Sequence, residues 1–304
     1  MNIPAFIGPY QFIEPIGEGS FGQVLKCVHR PTGLQFACKV INIRYIKEDQ
    51  KTYENFKNEL TANSQMTHPG IVRLFDVQCD NNNIYLILEL CPGGTLENLV
   101  RSSNGLSEPQ ALFFFSQIMR VIEYIHNQSY AHRDVTLNNI LIGADGHAKL
   151  TDFGLCKRRP ISSLCTTMCG TFVYISPEII TKQQYDAFKV DIWSAGICLY
   201  SMVSNHLPWM LDDTIPTERI FDETAKQICS GEIMYDDTMS EELKDLLSTM
   251  LRVDPDERAT PSDILSHIWF QNQQQEDEIE VPPPDPNLVN LVQSLISQLD
   301  VITF

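Results

Sequence analysis

A glycine-rich turn near the start of the chain has the residue types that bind phosphate through the backbone. It reads Gly17-Glu18-Gly19-Ser20-Phe21-Gly22-Gln23-Val24. Because glycine has no Cβ atom, its backbone amide can approach a phosphate closely. A dinucleotide-binding fingerprint needs a helix directly after such a turn, whereas another strand pattern follows here. Taken alone, the turn is therefore either a phosphate-binding loop or an ordinary glycine-rich β-turn.

One lysine lies inside an otherwise apolar strand pattern, Ala37-Cys38-Lys39-Val40. A buried ammonium group needs an anionic partner. The helical pattern that follows offers Glu59, and the phosphates of a nucleotide would supply further negative charge. This combination favours a nucleotide site.

Three further motifs follow in order along the chain. They are His132-Arg133-Asp134 with Asn139 five residues after the aspartate, Asp152-Phe153-Gly154 after a short apolar strand, and Ser176-Pro177-Glu178. In this order and spacing they resemble the signature of the eukaryotic protein kinase family. The resemblance covers residues 10–270 and includes two later landmarks, 191–196 and 254–258. Cys169-Gly170-Thr171 and His267-Ile268-Trp269-Phe270 are most similar to the calmodulin-dependent and AMP-activated group of Ser/Thr kinases.

The resemblance implies an enzyme that transfers the γ-phosphate of ATP to Ser or Thr hydroxyls of protein substrates, with Mg²⁺ as cofactor. The implied catalytic residues are Asp134, Lys39, Asn139 and Asp152. Asp134 would accept the hydroxyl proton and Lys39 would hold the phosphates, while Asn139 and Asp152 would bind the metal. The implied ATP-binding residues are Ile16, Gly17, Gly19, Ser20, Phe21, Gly22, Val24, Ala37, Lys39, Glu59, Glu89 and Cys91. The family also implies that Glu178 and Arg258 form a buried ion pair.

The elements that must position these residues change in type along the chain. Strand patterns fill residues 11–17, 23–29, 34–43, 72–79 and 84–90, with one helical pattern at 51–66. Helical patterns then cover 108–128, 189–203, 218–229 and 241–250. This order predicts an α+β, bilobal protein kinase fold, with a β-rich N-lobe at 10–90 that contains one main helix and a mostly α-helical C-lobe at 91–270.

The last part of the chain has a different composition. Residues 271–284 are polar and acidic and end in three prolines, which is typical of a linker. Residues 285–304 then place apolar side chains at helical spacing, at Leu288, Leu291/Val292, Leu295, Leu299 and Ile302. We expect this amphipathic helix to pack on the chain's own C-lobe or to dock on a partner.

Two positions depart from the family pattern. Thr136 replaces the lysine that most Ser/Thr kinases of the family carry two residues after the catalytic aspartate, and residues 135–138 contain no other cation. Asn63, one helical turn after Glu59, stands where an apolar residue is usual; the change is neutral if its amide finds a hydrogen-bond partner. These departures keep a second hypothesis open, a pseudokinase that acts as a nucleotide-binding or scaffold module.

The resemblance also predicts regulation and specificity. We expect activation by an upstream kinase through phosphorylation of Thr167, with Arg133 and Lys157 as the cations that meet the phosphate. Basophilic relatives carry carboxylates where this chain has Thr95, Asn138 and Ser201. The absence of these carboxylates predicts little preference for arginine-rich substrates.

Composition restricts the remaining functions. The 304 residues include 22 Lys and Arg against 39 Asp and Glu, a formal net charge of −17. Because a surface this acidic repels nucleic acid and anionic lipid, we expect neither as a partner. Nine cysteines without a secretory signal pattern predict reduced thiols and a cytoplasmic protein, with the nucleus as the alternative compartment.

Overall fold

The computed structural model describes residues 3–19, 22–48, 50–158, 165, 171–181, 184–209, 217–271 and 283–301. The chain forms two compact units. The first contains Met1–Gly93, Gly143–Cys156 and Ile279–Phe304, and the second contains Gly94–Ile142 and Lys157–Glu278. This division differs from the contiguous boundary between residues 90 and 91 that the sequence predicts, because two later segments pack into the first unit.

Ten strands lie in the described residues. They are β1 (Phe6–Ile7), β2 (Tyr10–Gly19), β3 (Gly22–His29), β4 (Gln35–Asn42), β5 (Leu74–Cys79), β6 (Asn83–Leu88), β7 (Tyr130–Ala131), β8 (Ile140–Ile142), β9 (Ala148–Leu150) and β10 (Lys157–Arg158).

Ten α-helices accompany them in the same residues. They are α1 (Ile43–Ile46), α2 (Gln50–Gln65), α3 (Leu96–Ser103), α4 (Glu108–Asn127), α5 (Pro177–Ile180), α6 (Ala187–Ser204), α7 (Thr217–Ser230), α8 (Glu241–Met250), α9 (Pro261–Leu265) and α10 (Pro286–Val301). No described helix is long and apolar enough to cross a bilayer.

An antiparallel sheet with the order β1-β2-β3-β4-β6-β5 forms the framework of the first unit. The five strand patterns seen in the sequence correspond to β2–β6, and the helical pattern corresponds to α2. The glycine-rich turn extends the β2–β3 hairpin further than predicted, since Gly19 still pairs with Gly22.

Side-chain alternation along the strands gives this sheet two apolar faces. On one face Ile41, Ile84 and Leu86 join a buried cluster with Phe56 and Leu60 of α2. The other face buries a separate cluster of Tyr10, Leu25, Cys27, Cys38, Val40, Tyr85 and Ile87. Because Lys39 lies two residues before Ile41 on β4, it is on the same face of the sheet as α2.

The C-terminal helix α10 belongs to the first unit. Its residues Val292, Leu295 and Leu299 are buried in the cluster formed by α2 and the sheet, and Leu288 packs against that cluster. The expected packing on the C-lobe or on a partner is therefore replaced by packing on α2 and β5. Leu291 is exposed, and Ile302 lies outside the described residues.

The second unit is arranged around α6. Fourteen of the eighteen residues of this helix are buried, so it is enclosed on all sides and forms the centre of the unit. The helices α3, α4 and α8 pack against it. The four helical patterns seen in the sequence correspond to α4, α6, α7 and α8.

The predicted ion pair between Glu178 and Arg258 is present in the second unit. Two bonds of 2.6 Å join the Arg258 guanidinium to the two carboxylate oxygens of Glu178, and both side chains are buried. The guanidinium also lies 5.0 Å from the centre of a Trp193 ring on α6. This pair connects the start of α5 to the segment after α8.

A second carboxylate joins three other segments of this unit. Glu108, at the start of α4, accepts hydrogen bonds from the backbone amide and hydroxyl of Ser240, both at 2.7 Å, and from the Trp269 indole at 2.9 Å. Partial burial alone would raise the pKa of Glu108, but these three donors outweigh burial and lower it.

We predict that Glu108→Gln lowers the free energy of unfolding by about 1–3 kcal/mol at neutral pH, because charge-assisted hydrogen bonds are lost. Since the pKa of Glu108 is lower in the folded state, its contribution is complete above the unfolded pKa of about 4.3 and is lost as the pH falls through the folded value. Urea unfolding followed by circular dichroism from pH 7 to pH 3 measures this. The difference between wild type and variant should shrink with falling pH.

The matched control is Glu232→Gln, because Glu232 is exposed. This substitution should change stability by less than about 0.5 kcal/mol at every pH. A Glu108→Gln effect that is equally small at pH 7 contradicts the prediction.

Candidate active site

The glycine-rich turn and the predicted adenine-binding residues all belong to the first unit. Strand β2 carries Ile16, Gly17 and Gly19, while β3 carries Gly22 and Val24. In the sheet register Gly17 is opposite Val24. Ser20 and Phe21 lie outside the described residues.

The neighbouring strands place the remaining predicted adenine contacts. Val24 is opposite Lys39 on β4, and Ala37 on β4 is opposite Leu88 at the end of β6. Glu89 and Cys91 follow Leu88 directly, on the segment that leaves the sheet. The register thus brings the strand residues of the predicted nucleotide site to one end of one sheet.

Lys39 and Glu59 form the buried ion pair that the sequence predicts. The Lys39 Nζ is 2.5 Å from the Glu59 Oε1 and 4.0 Å from the Asp152 Oδ1. Both members of the pair are almost completely buried. Burial alone would lower the pKa of the Lys39 ammonium, but Glu59 and Asp152 outweigh burial and raise it. Lys39 is therefore charged at neutral pH, as a phosphate-binding group must be.

Asp152 begins a short 3₁₀ turn, Phe153–Leu155, that packs on α2. Its backbone is in the left-handed region, with φ 62°, and its carboxylate accepts a hydrogen bond from the Gly154 amide. Non-glycine residues in this region store strain, which is common at functional sites.

Asn63 of α2 is half-buried and makes no side-chain hydrogen bond within the described part of the chain. The described residues therefore contain no hydrogen-bond partner that would make asparagine at position 63 equivalent to the usual apolar residue.

In the second unit, a buried aspartate fixes the loop that carries Asp134. The carboxylate of Asp191, on α6, accepts hydrogen bonds from the backbone amides of His132 at 2.9 Å and Arg133 at 2.7 Å. The His126 ring contacts the same carboxylate at 2.8 Å. Arg133 has a left-handed backbone, with φ 65°. Asp191 of α6 thus fixes the backbone conformation of this loop.

Both carboxylate oxygens of Asp134 have hydrogen-bond donors. The Asn139 Nδ2 donates to Oδ2 at 2.9 Å and also to the Asp134 carbonyl at 2.9 Å. The backbone amide and the hydroxyl of Thr171 donate to Oδ1 at 3.0 and 2.9 Å. The direction of this carboxylate is therefore fixed, as a base that orients a hydroxyl requires.

Thr136 has a structural role in this loop. Its side chain is buried, and its hydroxyl accepts a hydrogen bond from the Asn139 amide at 3.2 Å. It thereby caps the 3₁₀ turn Leu137–Asn139. The threonine stabilises the turn that presents Asn139 but brings no positive charge to it.

The predicted phosphorylation site is only partly described. Thr167 lies outside the described residues, as do Cys169 and Gly170. The backbone of Lys157 pairs with Ala131, directly before the loop of Asp134. The Arg133 guanidinium is buried and lies 3.4 Å from the Tyr185 hydroxyl.

Two residues make contacts in these arrangements that the sequence did not predict. One is Thr171, whose contact with Asp134 joins residues 37 positions apart. The other is Lys149 on β9, whose buried Nζ donates to the Pro69 carbonyl at 2.8 Å and lies 2.9 Å from the Glu89 carboxylate. A signal for Lys149 was available, because it is a lysine in an apolar strand, as Lys39 is.

Comparison with known proteins identifies the family. Residues 10–270 of this chain match the family described as Protein kinase domain. The maternal embryonic leucine zipper kinase of Xenopus tropicalis is 35% identical over 264 residues, covering 86% of this chain and 39% of that protein. The probable serine/threonine-protein kinase MARK-B of Dictyostelium discoideum is 34% identical over 267 residues, covering 86% of this chain and 36% of that protein.

A putative serine/threonine-protein kinase of Saccharomyces cerevisiae is 35% identical over 266 residues, covering 87% of this chain and 28% of that protein. The chain therefore belongs to the protein kinase family, which confirms the resemblance and the bilobal α+β fold predicted from the motifs. Within it, the chain is similar to the calmodulin-dependent and AMP-activated group. The chain spans about a quarter to a half of the length of the curated relatives that it matches.

We predict that Lys149→Met weakens ATP binding by about tenfold or more, because an uncompensated Glu89 carboxylate displaces the segment expected to bind adenine. Isothermal titration with ATP and Mg²⁺ measures the affinity, and circular dichroism monitors the fold. Lys149→Arg keeps the charge and should lose less affinity.

The exposed Lys226 provides the matched control, since it pairs only with Glu223 within its own helix in the described residues. Lys226→Met should leave ATP affinity within about twofold of wild type. If Lys149→Met binds ATP as tightly as this control, the positioning role of Lys149 is wrong.

Proposed function

We propose that this chain is a protein serine/threonine kinase that transfers the γ-phosphate of ATP, with Mg²⁺, to Ser or Thr hydroxyls of protein substrates. The observation that carries the proposal is the fixed carboxylate of Asp134, held by Asn139 on one oxygen and by Thr171 on the other. A module that only binds nucleotide has no use for an oriented base. The family match and the names of the relatives support the same class of reaction.

The reaction needs positioning and charge neutralisation more than covalent chemistry. The substrate oxygen forms a bond to the γ-phosphorus while the bond to the bridging oxygen of ADP breaks. Asp134 orients the hydroxyl and accepts its proton. Lys39, held by Glu59, neutralises charge on the phosphates.

The available donors suit Mg²⁺, a hard cation that prefers oxygen ligands. Asp152 supplies a carboxylate, and Asn139 retains its carbonyl Oδ1 because its Nδ2 donates to Asp134. These two residues would hold the metal. When bound, the ion neutralises charge on the phosphates and orients them.

The rival proposal, a pseudokinase, is favoured by Thr136 and Asn63. Thr136 supplies no cation to the transferring phosphate, and loss of one such donor costs about 10²–10³ in rate in other enzymes. The complete set of Lys39, Glu59, Asp134, Asn139 and Asp152 favours a working enzyme with reduced turnover. We therefore place the pseudokinase second.

Substrate choice and regulation complete the proposal. The absence of carboxylates at Thr95, Asn138 and Ser201 supports acceptor sites without an arginine requirement. Activation by an upstream kinase at Thr167 is supported by the resemblance to kinases in which an arginine directly before the catalytic aspartate, here Arg133, meets the loop phosphate. The cysteine content supports a reducing compartment, the cytoplasm or the nucleus.

The decisive test compares the wild-type chain with Asp134→Asn in a radiolabelled-ATP assay. The acceptors are protein mixtures and Ser/Thr peptides with and without arginine two or three residues before the hydroxyl. We expect Asp134→Asn to lower the rate by about 10²–10⁴-fold, because the proton acceptor is lost. The exposed Asp237→Asn serves as the control and should keep wild-type activity. Equal trace activity in all three proteins supports the pseudokinase instead.

We also predict that Thr167→Ala lowers specific activity by about tenfold or more, because a phosphate of roughly −2 charge at Thr167 no longer meets Arg133 and Lys157. The assay uses protein treated with a lysate of activating kinases, with occupancy measured by mass spectrometry. Thr166→Ala is the neighbouring control. If Thr167→Ala and phosphorylated wild type are equally active, activation does not depend on this site.

A further inference from the structure

The apolar face of α10 completes the core that α2 forms with the sheet. Val292, Leu295 and Leu299 are buried at 1, 8 and 5% exposure, whereas Leu291, at the edge of this face, is 42% exposed. The buried residues share one cluster with Phe56 and Leu60 of α2. The occupant of this surface of α2 is thus a segment of the same chain.

A polar contact fixes the position of α10 along α2. The Asp300 Oδ1 accepts a hydrogen bond from the Tyr53 hydroxyl at 2.7 Å. The Lys57 Nζ donates to both oxygens of the same carboxylate, at 3.1 and 3.2 Å. These donors lower the pKa of Asp300, so the carboxylate is charged at neutral pH. A charge-assisted contact at one end of an apolar interface specifies its register.

The same helix carries the glutamate of the candidate active site. Glu59 lies between Phe56 and Leu60 in the sequence of α2, and its side chain points to Lys39 rather than into the α10 cluster. A rigid helix transmits the position of one face to the other. Any shift of α2 that follows loss of α10 therefore moves the Glu59 carboxylate.

The pair with Lys39 leaves two other polar groups on this part of α2 without partners in the described residues. The Glu59 Oε2 is buried without a hydrogen-bond partner, and Asn63 makes no side-chain hydrogen bond in the described residues. A buried carboxylate oxygen without a partner is unfavourable. Apolar packing of α2 in the cluster it shares with the sheet and α10 has to offset this cost, and α10 supplies part of that packing.

We propose that α10 is an activating segment that holds α2 where Glu59 pairs with Lys39, with Leu295, Leu299 and Asp300 as positioning residues. The inference rests on the proposed kinase function for its effect on turnover. It assigns to the C-terminal helix a positive effect on activity and excludes an inhibitory one.

The first test uses the full chain with Leu295→Ser and Leu299→Ser combined, and Leu291→Ser as the matched control. We expect kcat to fall by about tenfold, with a smaller change in the KM for the acceptor peptide. Hydrogen exchange of the amides of residues 50–65 should become faster in the double variant and remain unchanged in the control. Activity that stays equal or rises, with unchanged exchange in α2, overturns the proposal.

Rescue in trans separates positioning from general destabilisation. A synthetic peptide of residues 285–304, added to the double variant, should restore both kcat and slow exchange in α2. The same peptide with serine at positions 295 and 299 should restore neither. Failure of the wild-type peptide at concentrations that saturate binding contradicts the proposed role.

A charge exchange covers the case in which the double variant does not fold. Lys57→Asp and Asp300→Lys should each lower kcat by about threefold, and the combined variant should recover most of that loss. Independent, additive losses overturn the role of the contact. Hydrogen exchange is measured on all variants, so a chain that transfers no phosphate disproves the proposed function while the positioning of α2 is still tested.

Discussion

The buried ion pair between Lys39 and Glu59 is the constraint on which the first unit depends. Two opposite charges removed from water are stable together only when their geometry is well defined, and removal of one leaves the other unpaired at a cost of about 3–5 kcal/mol. One partner is on a central strand and the other on α2. The Lys39 ammonium and the Glu59 carboxylate therefore stay 2.5 Å apart only if the sheet register and the packing of α2 are both maintained, and α10 contributes to that packing.

The second unit fixes the direction of the Asp134 carboxylate, the base of the proposed reaction, through hydrogen bonds from backbone and side-chain donors. The buried Asp191 holds the loop through the amides of His132 and Arg133, and Asn139 and Thr171 then orient Asp134. Thr136 fits this arrangement as a cap for the turn of Asn139. Threonine at this position thus caps the turn but supplies no positive charge.

The sequence predicted the long elements well, since periodicity is a local property. It identified β2–β6, α2 and the main helices of the second unit, together with the Lys39–Glu59 ion pair. Long-range contacts were harder. Nothing local in the sequence shows that Thr171 donates to Asp134 or that Lys149 reaches the Pro69 carbonyl. Periodicity also gave the apolar face of α10, but a helical face does not specify its partner, so the expected packing on the C-lobe was wrong.

The membership of α10 in the first unit has a consequence for how this chain folds. Tyr53 and Asp300 are 247 positions apart, so the core of the first unit can be completed only after Asp300 has been synthesised. At rates of about 5–20 residues per second, that interval is on the order of tens of seconds. During this time Phe56 and Leu60 lack part of their final apolar cover, although closing so long a loop adds only a few kcal/mol of entropy. The β-rich unit therefore begins to fold first and is completed last.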